Sequence, residues 1–191
     1  MAHPWHDIPL PADDALDVFP VVIEVPRGNK NKYELDKATG LLKVDRVLYS
    51  AVHYPANYGF VPRTYAEDDD PIDVLVLGQE PVVPLALVQA RAIGGFRMRD
   101  EHGEDVKLIA VHVNDPAVSD YQSIDELPKH VVAEMMRFFE DYKILEGKAV
   151  EVGARLDILE ARQALRGAVE RYRAQEARLR STALATALAT A

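Results

Sequence analysis

The chain has 191 residues, a net charge of −9, no cysteine, 48% apolar and 28% charged residues. At this length one domain burying about 70% of its unfolded surface is expected, and the composition is too apolar for general disorder. The acidic balance argues against nucleic acid or an anionic membrane as the main partner, and the missing cysteines exclude disulfides and thiolate metal sites. With no leader-like start and no apolar run of spanning length, a cytoplasmic protein is expected.

In chain order, residues 1–17 carry prolines without periodicity and are read as an N-terminal arm over the surface, with His3 and His6 in exposed, tag-like positions. Residues 18–180 are read as the single domain. Val18 to Pro26 is strand-like, with Glu24 embedded among β-branched residues, and a charge placed there needs a partner. A turn at 27–31 precedes Lys32–Asp36, a strand with Lys32 and Glu34 on one face; 37–40 forms a hairpin loop and 41–46 returns. Residues 49–65 are dense in tyrosine, proline and glycine, a composition that ordinarily fills a core.

The run Glu67-Asp68-Asp69-Asp70-Pro71-Ile72-Asp73 then passes directly into Val74-Leu75-Val76-Leu77. An acidic run is ordinarily a solvated loop, but solvated loops do not dive into an apolar strand. Pro71 keeps Asp70 extended, so Asp68 and Asp70 share a face. Carboxylates crowded on one rigid turn either take a proton or hold a cation, and oxygen-only ligands suit magnesium, manganese or calcium. An EF-hand loop matches poorly, because its fifth and sixth positions would be Ile72 and Asp73.

A proline-punctuated loop at 81–84 leads to a strand at 85–91, and Gly94-Gly95 marks a bulge or bend. The run Asp100-Glu101-His102-Gly103-Glu104-Asp105-Val106-Lys107 repeats the acidic form, with Asp105 and Lys107 on a shared face. Residues 128–143 are helical. Val131, Met135, Phe138 or Phe139, and Tyr142 form the apolar stripe, and Lys143 stands at its end. A short strand at 150–152 and a charged, alanine-rich helix at 156–180 follow. Residues 181–191 form a low-complexity tail that extends this helix.

These blocks together resemble the soluble magnesium-dependent inorganic pyrophosphatases of the bacterial type. The family signature Asp-x-Asp-Pro-x-Asp-Val stands here as Asp68 to Val74. Around it are Val22-Ile23-Glu24-Val25-Pro26, Lys32-Tyr33-Glu34, Val44-Asp45-Arg46, Tyr54 to Gly59, Asp100 to Lys107 and Phe138 to Lys143. The likeness covers roughly 18–173. Pro84-Leu85 departs from a glycine common in the family, and the arm and tail have no obvious counterpart.

The resemblance implies an α+β fold, mainly β, in which a five-stranded OB-like barrel is flanked by two main helices. It implies hydrolysis of pyrophosphate to two phosphates by a metal-activated water, in direct in-line attack without a covalent intermediate. Magnesium is the implied cofactor, several ions per site, with Mn2+ or Zn2+ as substitutes. Asp68, Asp73 and Asp105 would hold metal, Asp100 with Asp105 a further ion, and Glu24 and Glu34 the metal-bound water. Asp70 is the chosen base and Asp105 its rival. Lys32, Arg46, Tyr58, Lys107, Tyr142 and Lys143 would grip the phosphates, and a homohexamer is the expected assembly. An oligonucleotide-binding module would need a basic groove, against the net charge, and a phosphatase of nucleotides or polyphosphate would need a base pocket that no residue pattern signals.

Overall fold

The computed structural model describes residues 2–12, 16–100 and 103–189, with side chains described up to 182. Glu101 and His102 of the second acid cluster lie outside the described residues, as do 190–191 of the tail.

Strand β1 (Phe19–Val25) is buried along its whole length, Glu24 included. It pairs antiparallel with β4 (Asn57–Phe60), and β4 pairs antiparallel with β5 (Asp73–Leu77). Parallel pairing of β5 with β7 (Gly103–His112) sets Asp73 beside Lys107. β7 returns antiparallel to the long β6 (Leu87–Asp100), whose first residues pair with β1, Phe19 opposite Ala90, and so close a ring of five strands. The expected irregularity at Gly94 appears as a register shift between Ala92 and Gly94. β8 (Glu151–Leu156) extends the edge of β6, and β2 (Asn31–Leu35) with β3 (Leu42–Val47) forms a separate hairpin. Mainly sheet, with two helices α1 (Lys129–Asp141) and α2 (Ile158–Ala189), this is the fold class that the resemblance implies.

Strand alternation divides the core. Leu75 and Leu77 on β5 and Ile109 and Val111 on β7 pack with Met135, Phe138 and Phe139 of α1. Their neighbours Val74, Val76, Leu108 and Ala110 pack with Ala161, Leu165 and Val169 of α2. The expected stripe on α1 holds at Met135, Phe138 and Phe139, with Val132 rather than Val131 as its first buried residue, since the helix begins at Lys129. Asp73, Asp105 and Lys107 have the parity of the α1 side, at the end where β5 starts. At Leu85, where glycine would be usual, φ is +65, a left-handed conformation that a Cβ disfavours.

The arm corrects the sequence reading. His6, expected to be exposed, is 2% exposed, and so is Trp5. Trp5 stacks on His6 at 4.6 Å between ring centroids, and His3 also stacks on His6, at 4.5 Å. His6 Nδ1 lies 2.8 Å from Tyr172 Oη on α2, while Trp5 Nε1 donates to the Thr64 carbonyl at 2.8 Å. Apolar ring surface and buried hydrogen-bond partners hold the arm against the domain, an advantage that prolines without periodicity do not reveal. No described helix is long and apolar enough to cross a membrane.

Candidate active site

One cavity of about 560 Å³ opens between the ring, the β2–β3 hairpin and the end of α1. All the candidate residues line it: Glu24, Lys32, Glu34, Arg46, Tyr58, Asp68, Asp70, Asp73, Asp100, Asp105, Lys107, Tyr142 and Lys143. Each arrives from a different local device.

Glu24 sits where the β1–β4 register slips between Ile23 and Val25, and a bulge of this kind re-aims a side chain. Its Oε1 accepts from the Leu35 amide at 2.7 Å, the partner that a charge embedded in a strand requires. A second slip, between Lys32 and Tyr33, leaves Asp45 as the extra residue of β3. Asp45 lies 3.6 Å from Lys32 and pairs with Arg46. Arg46 Nε donates to Glu146 at 2.7 Å, while its Nη2 is buried without a hydrogen-bond partner. Lys32 also pairs with Glu34, as their shared face predicts.

The parallel β5–β7 register places Lys107 between the carboxylates of Asp73 and Asp105, and its Nζ donates to Tyr58 Oη at 3.3 Å. At the far side Lys143 Nζ donates to Asp100 at 2.7 Å. Tyr142 caps α1 by donating its amide to the Phe138 carbonyl at 2.9 Å, and its ring packs edge-on against Phe139 in the cavity wall. Tyr54 is a core ring, as its composition context predicts, whereas Tyr58 is buried and still presents its hydroxyl to Lys107.

Electrostatics follow the crowding. Burial, with Asp73 nearby, pushes the Glu24 carboxyl up to about 8, and burial with Asp105 and Asp73 pushes Asp68 up to about 7. Burial also raises Asp105, against the pull of Lys107. Burial opposes charge on Lys107, but Asp105 and Asp73 outweigh it and hold the ammonium far above the usual lysine range. On Asp45 burial is likewise outweighed, here by Lys32 and Arg46, and the carboxyl is held low. Burial raises the Tyr142 phenol well above its usual range, so it stays a neutral donor.

This donor set fits a hard divalent cation. It is all oxygen, and the burial and neighbouring carboxylates that raise Glu24 and Asp68 are what a positive charge close by would offset. As they stand, no three acid or imidazole side chains among the described residues converge to hold an ion, and Lys107 supplies the positive charge between Asp73 and Asp105. Residues that sequence reasoning passed over also line the cavity, among them Lys37 and Lys148. Lys37 lies in a hairpin loop, where neither periodicity nor an acid cluster signals it.

A family model described as inorganic pyrophosphatase matches residues 21–173. The chain is 56% identical over 171 residues to a soluble inorganic pyrophosphatase of Zea mays, covering 90% of this chain and 79% of that one. To a soluble inorganic pyrophosphatase of Chlamydomonas reinhardtii it is 53% identical, covering 90% and 88%. Its fold is similar to the crystal structure of inorganic pyrophosphatase from Thermus thermophilus, with a TM-score of 0.85 and 42% identity over 90% of this chain and 99% of that one. For the inorganic pyrophosphatase of Helicobacter pylori the TM-score is 0.82 at 43% identity, over 87% and 98%. The 171-residue overlap is longer than the span 21–173, so the likeness runs into flanks that the sequence reading left without a counterpart. On this agreement of sequence and fold, the chain belongs to the inorganic pyrophosphatase family and is a hydrolase.

Proposed function

We propose that this chain hydrolyses pyrophosphate to two phosphates by direct in-line attack of water, without a covalent intermediate, with magnesium as its cofactor and Mn2+ or Zn2+ as substitutes. The observation that carries the reading is the cavity itself: buried Glu24 of β1 and the part-buried carboxylates of Asp68 in the acidic turn, Asp73 of β5 and Asp105 of β7 face cations and phenols from β3, β7 and the end of α1. Asp68, Asp73 and Asp105 would hold the ions, joined by Asp100, with Glu24 and Glu34 ordering water around them. Bound divalent ions would neutralise substrate oxygens and lower the pKa of an attacking water.

The remaining work falls to the side chains. Arg46, with a buried Nη2 unpartnered, offers its planar fork to one phosphate, beside Tyr142 and Lys143. Lys32, Tyr58 and Lys107 face the other. Charge developing on the leaving phosphate is then met by donors already in place, and no covalent nucleophile is needed. Asp70 takes the proton from water; its side chain is half-exposed in the cavity lining, whereas that of Asp105 is mostly covered and paired with Lys107. The absence of cysteine supports a cytoplasmic setting, and a homohexamer is carried over from the resemblance.

The test is phosphate release from pyrophosphate and from ATP with magnesium present, then in excess chelator. Release from pyrophosphate far above that from ATP, abolished by the chelator and restored by magnesium, is expected. Full activity in chelator ends the metal reading, and a preference for ATP turns it to a nucleotide phosphatase.

A further inference from the structure

We propose that Lys37 is a positioning residue for the acidic turn and that the N-terminal arm, by holding Lys37, sets the orientation of Asp70. The inference rests on the reading of Asp70 as the proton acceptor.

Lys37 belongs to the loop joining β2 to β3, and that loop is fixed from within. The Asp36 amide donates to the Leu41 carbonyl at 2.7 Å, the Gly40 amide to the Asp36 carbonyl at 2.8 Å, and Thr39 Oγ1 to Asp36 at 2.6 Å. The arm lies directly on it. A Cβ added at Gly40 would sit 3.0 Å from Pro4 Cδ and 3.2 Å from His3 Cδ2, and the residue has φ +73. His3 Nε2 donates to the Lys37 carbonyl at 3.0 Å, and the Lys37 ammonium lies 5.7 Å from the Trp5 ring centroid.

From that anchored position Lys37 reaches the turn at two points. Its Nζ pairs with the Asp70 carboxylate and donates to the Asp69 carbonyl at 3.0 Å. On the other side of the turn Asp69, with φ +67, takes the Tyr65 hydroxyl, which in turn accepts from Arg178 Nη2 at 3.1 Å. Behind the turn is a second cavity of about 410 Å³, lined by Trp5, Tyr65, Asp69 and Arg178, and Lys37 lines this cavity as well as the active site. The turn is therefore anchored in the core at its ends, by Ala66 and Ile72, and its tip is set by polar ties. The Lys37–Asp70 pair is half-exposed, with side-chain exposures of 44% and 49%, so its loss should cost stability little. Its effect on reactivity is of another order, because misplacing a reacting group by about 1 Å can cost 10²-fold.

The test compares Lys37→Met and Lys37→Arg in the full chain by kcat, KM and thermal midpoint. The chain has a single tryptophan, Trp5, so its emission is also followed while inorganic phosphate is added with magnesium. In Lys37→Met, kcat should fall about tenfold or more with KM within about twofold and the midpoint within about 4 °C, and Lys37→Arg should recover most of kcat. Phosphate with magnesium should change Trp5 emission in the parent and in Lys37→Arg but not in Lys37→Met. An unchanged kcat in Lys37→Met, a fall matched by KM or by melting, or an emission change that persists in Lys37→Met overturns the proposal. His3→Ala, at a half-buried arm position, should lower kcat with the same split, and an unchanged kcat there removes the arm. If Asp70→Asn retains turnover, the assignment of the base fails by itself, whereas the Trp5 response still reports whether Lys37 ties arm to turn.

Discussion

Asp70 and Asp73 stand three residues apart and face different partners. Asp70 is half-exposed in the cavity lining, paired with Lys37, while Asp73 starts β5 and shares the Lys107 ammonium with Asp105. Their substitutions should therefore fail differently. Asp73→Asn removes charge from the cluster that would hold metal, so activity should fall and be partly restored by raised magnesium. Asp70→Asn leaves that cluster intact and should lower kcat by about 10²–10⁴-fold, with magnesium affinity little changed and no rescue. Steady-state rates across a magnesium series separate the two. Rescue of Asp70→Asn by magnesium, or near-normal turnover, passes the role of base to Asp105. That Asp68, Asp70 and Asp73 would line one cavity was legible in the chain, because an acidic run that passes straight into an apolar strand is drawn toward the core, although Glu67 and Asp69 stay exposed. Which acid meets which cation was not, since Lys37 and Lys107 are brought in by hairpin and strand pairing.

At the scale of the element, the β1–β4 ladder carries two residues that line the cavity, Glu24 and Tyr58, beside a close backbone approach at Gly59. A Cβ there would stand 2.0 Å from the Val22 carbonyl oxygen and 2.8 Å from Ile23 Cα. Both are backbone atoms and neither can swing away, so Gly59→Ala must open the ladder. A loss of about 3 kcal/mol or more in urea unfolding is expected, with reduced activity as Tyr58 shifts. A change below about 1 kcal/mol would mean that β1 and β4 separate at little cost. Most strands were readable from β-branched runs and the helix α1 from its three-and-four spacing, but β4 was not, because residues 57–60 lie in a stretch whose tyrosines, proline and glycine read as core filling. Ring closure was not readable: the pairing of β1 with β6 and the parallel pairing of β5 with β7 join distant segments, and alternation within one strand is silent about its neighbour. The two bulges that aim Glu24 and expose Asp45 to Lys32 are likewise properties of pairing and not of either strand alone.

Across the whole molecule the arm is the part least legible in the sequence, because the partner that defines it, Tyr172, lies 166 residues away from His6. Its burial carries a pH signature. Burial, with His3 and Arg180 adding to it, brings the His6 imidazole down from 6.5 to about 4, and its Nε2 is buried without a partner. The unfolded chain therefore binds a proton between about pH 6.5 and 4 that the folded chain refuses, so this group withdraws stability as pH falls through that window. Glu24 and Asp68, raised to about 8 and about 7, act in the opposite sense over much of the same range, because the folded chain holds their protons more tightly than the unfolded one. A single unfolding curve would hide both effects, and the difference between parent and His6→Gln isolates one. In metal-free protein the parent should lose stability relative to His6→Gln by on the order of 2 kcal/mol between pH 7 and pH 4.5, since glutamine cannot take the proton. At pH 7 the order should reverse, with the variant weaker through the lost stacking on Trp5 and the poorer fit to the Tyr172 hydroxyl. Denaturant midpoints across that range measure it. Parallel curves for the two proteins would mean that His6 meets water in the folded state, and the arm would then be a loose cover and not part of the core.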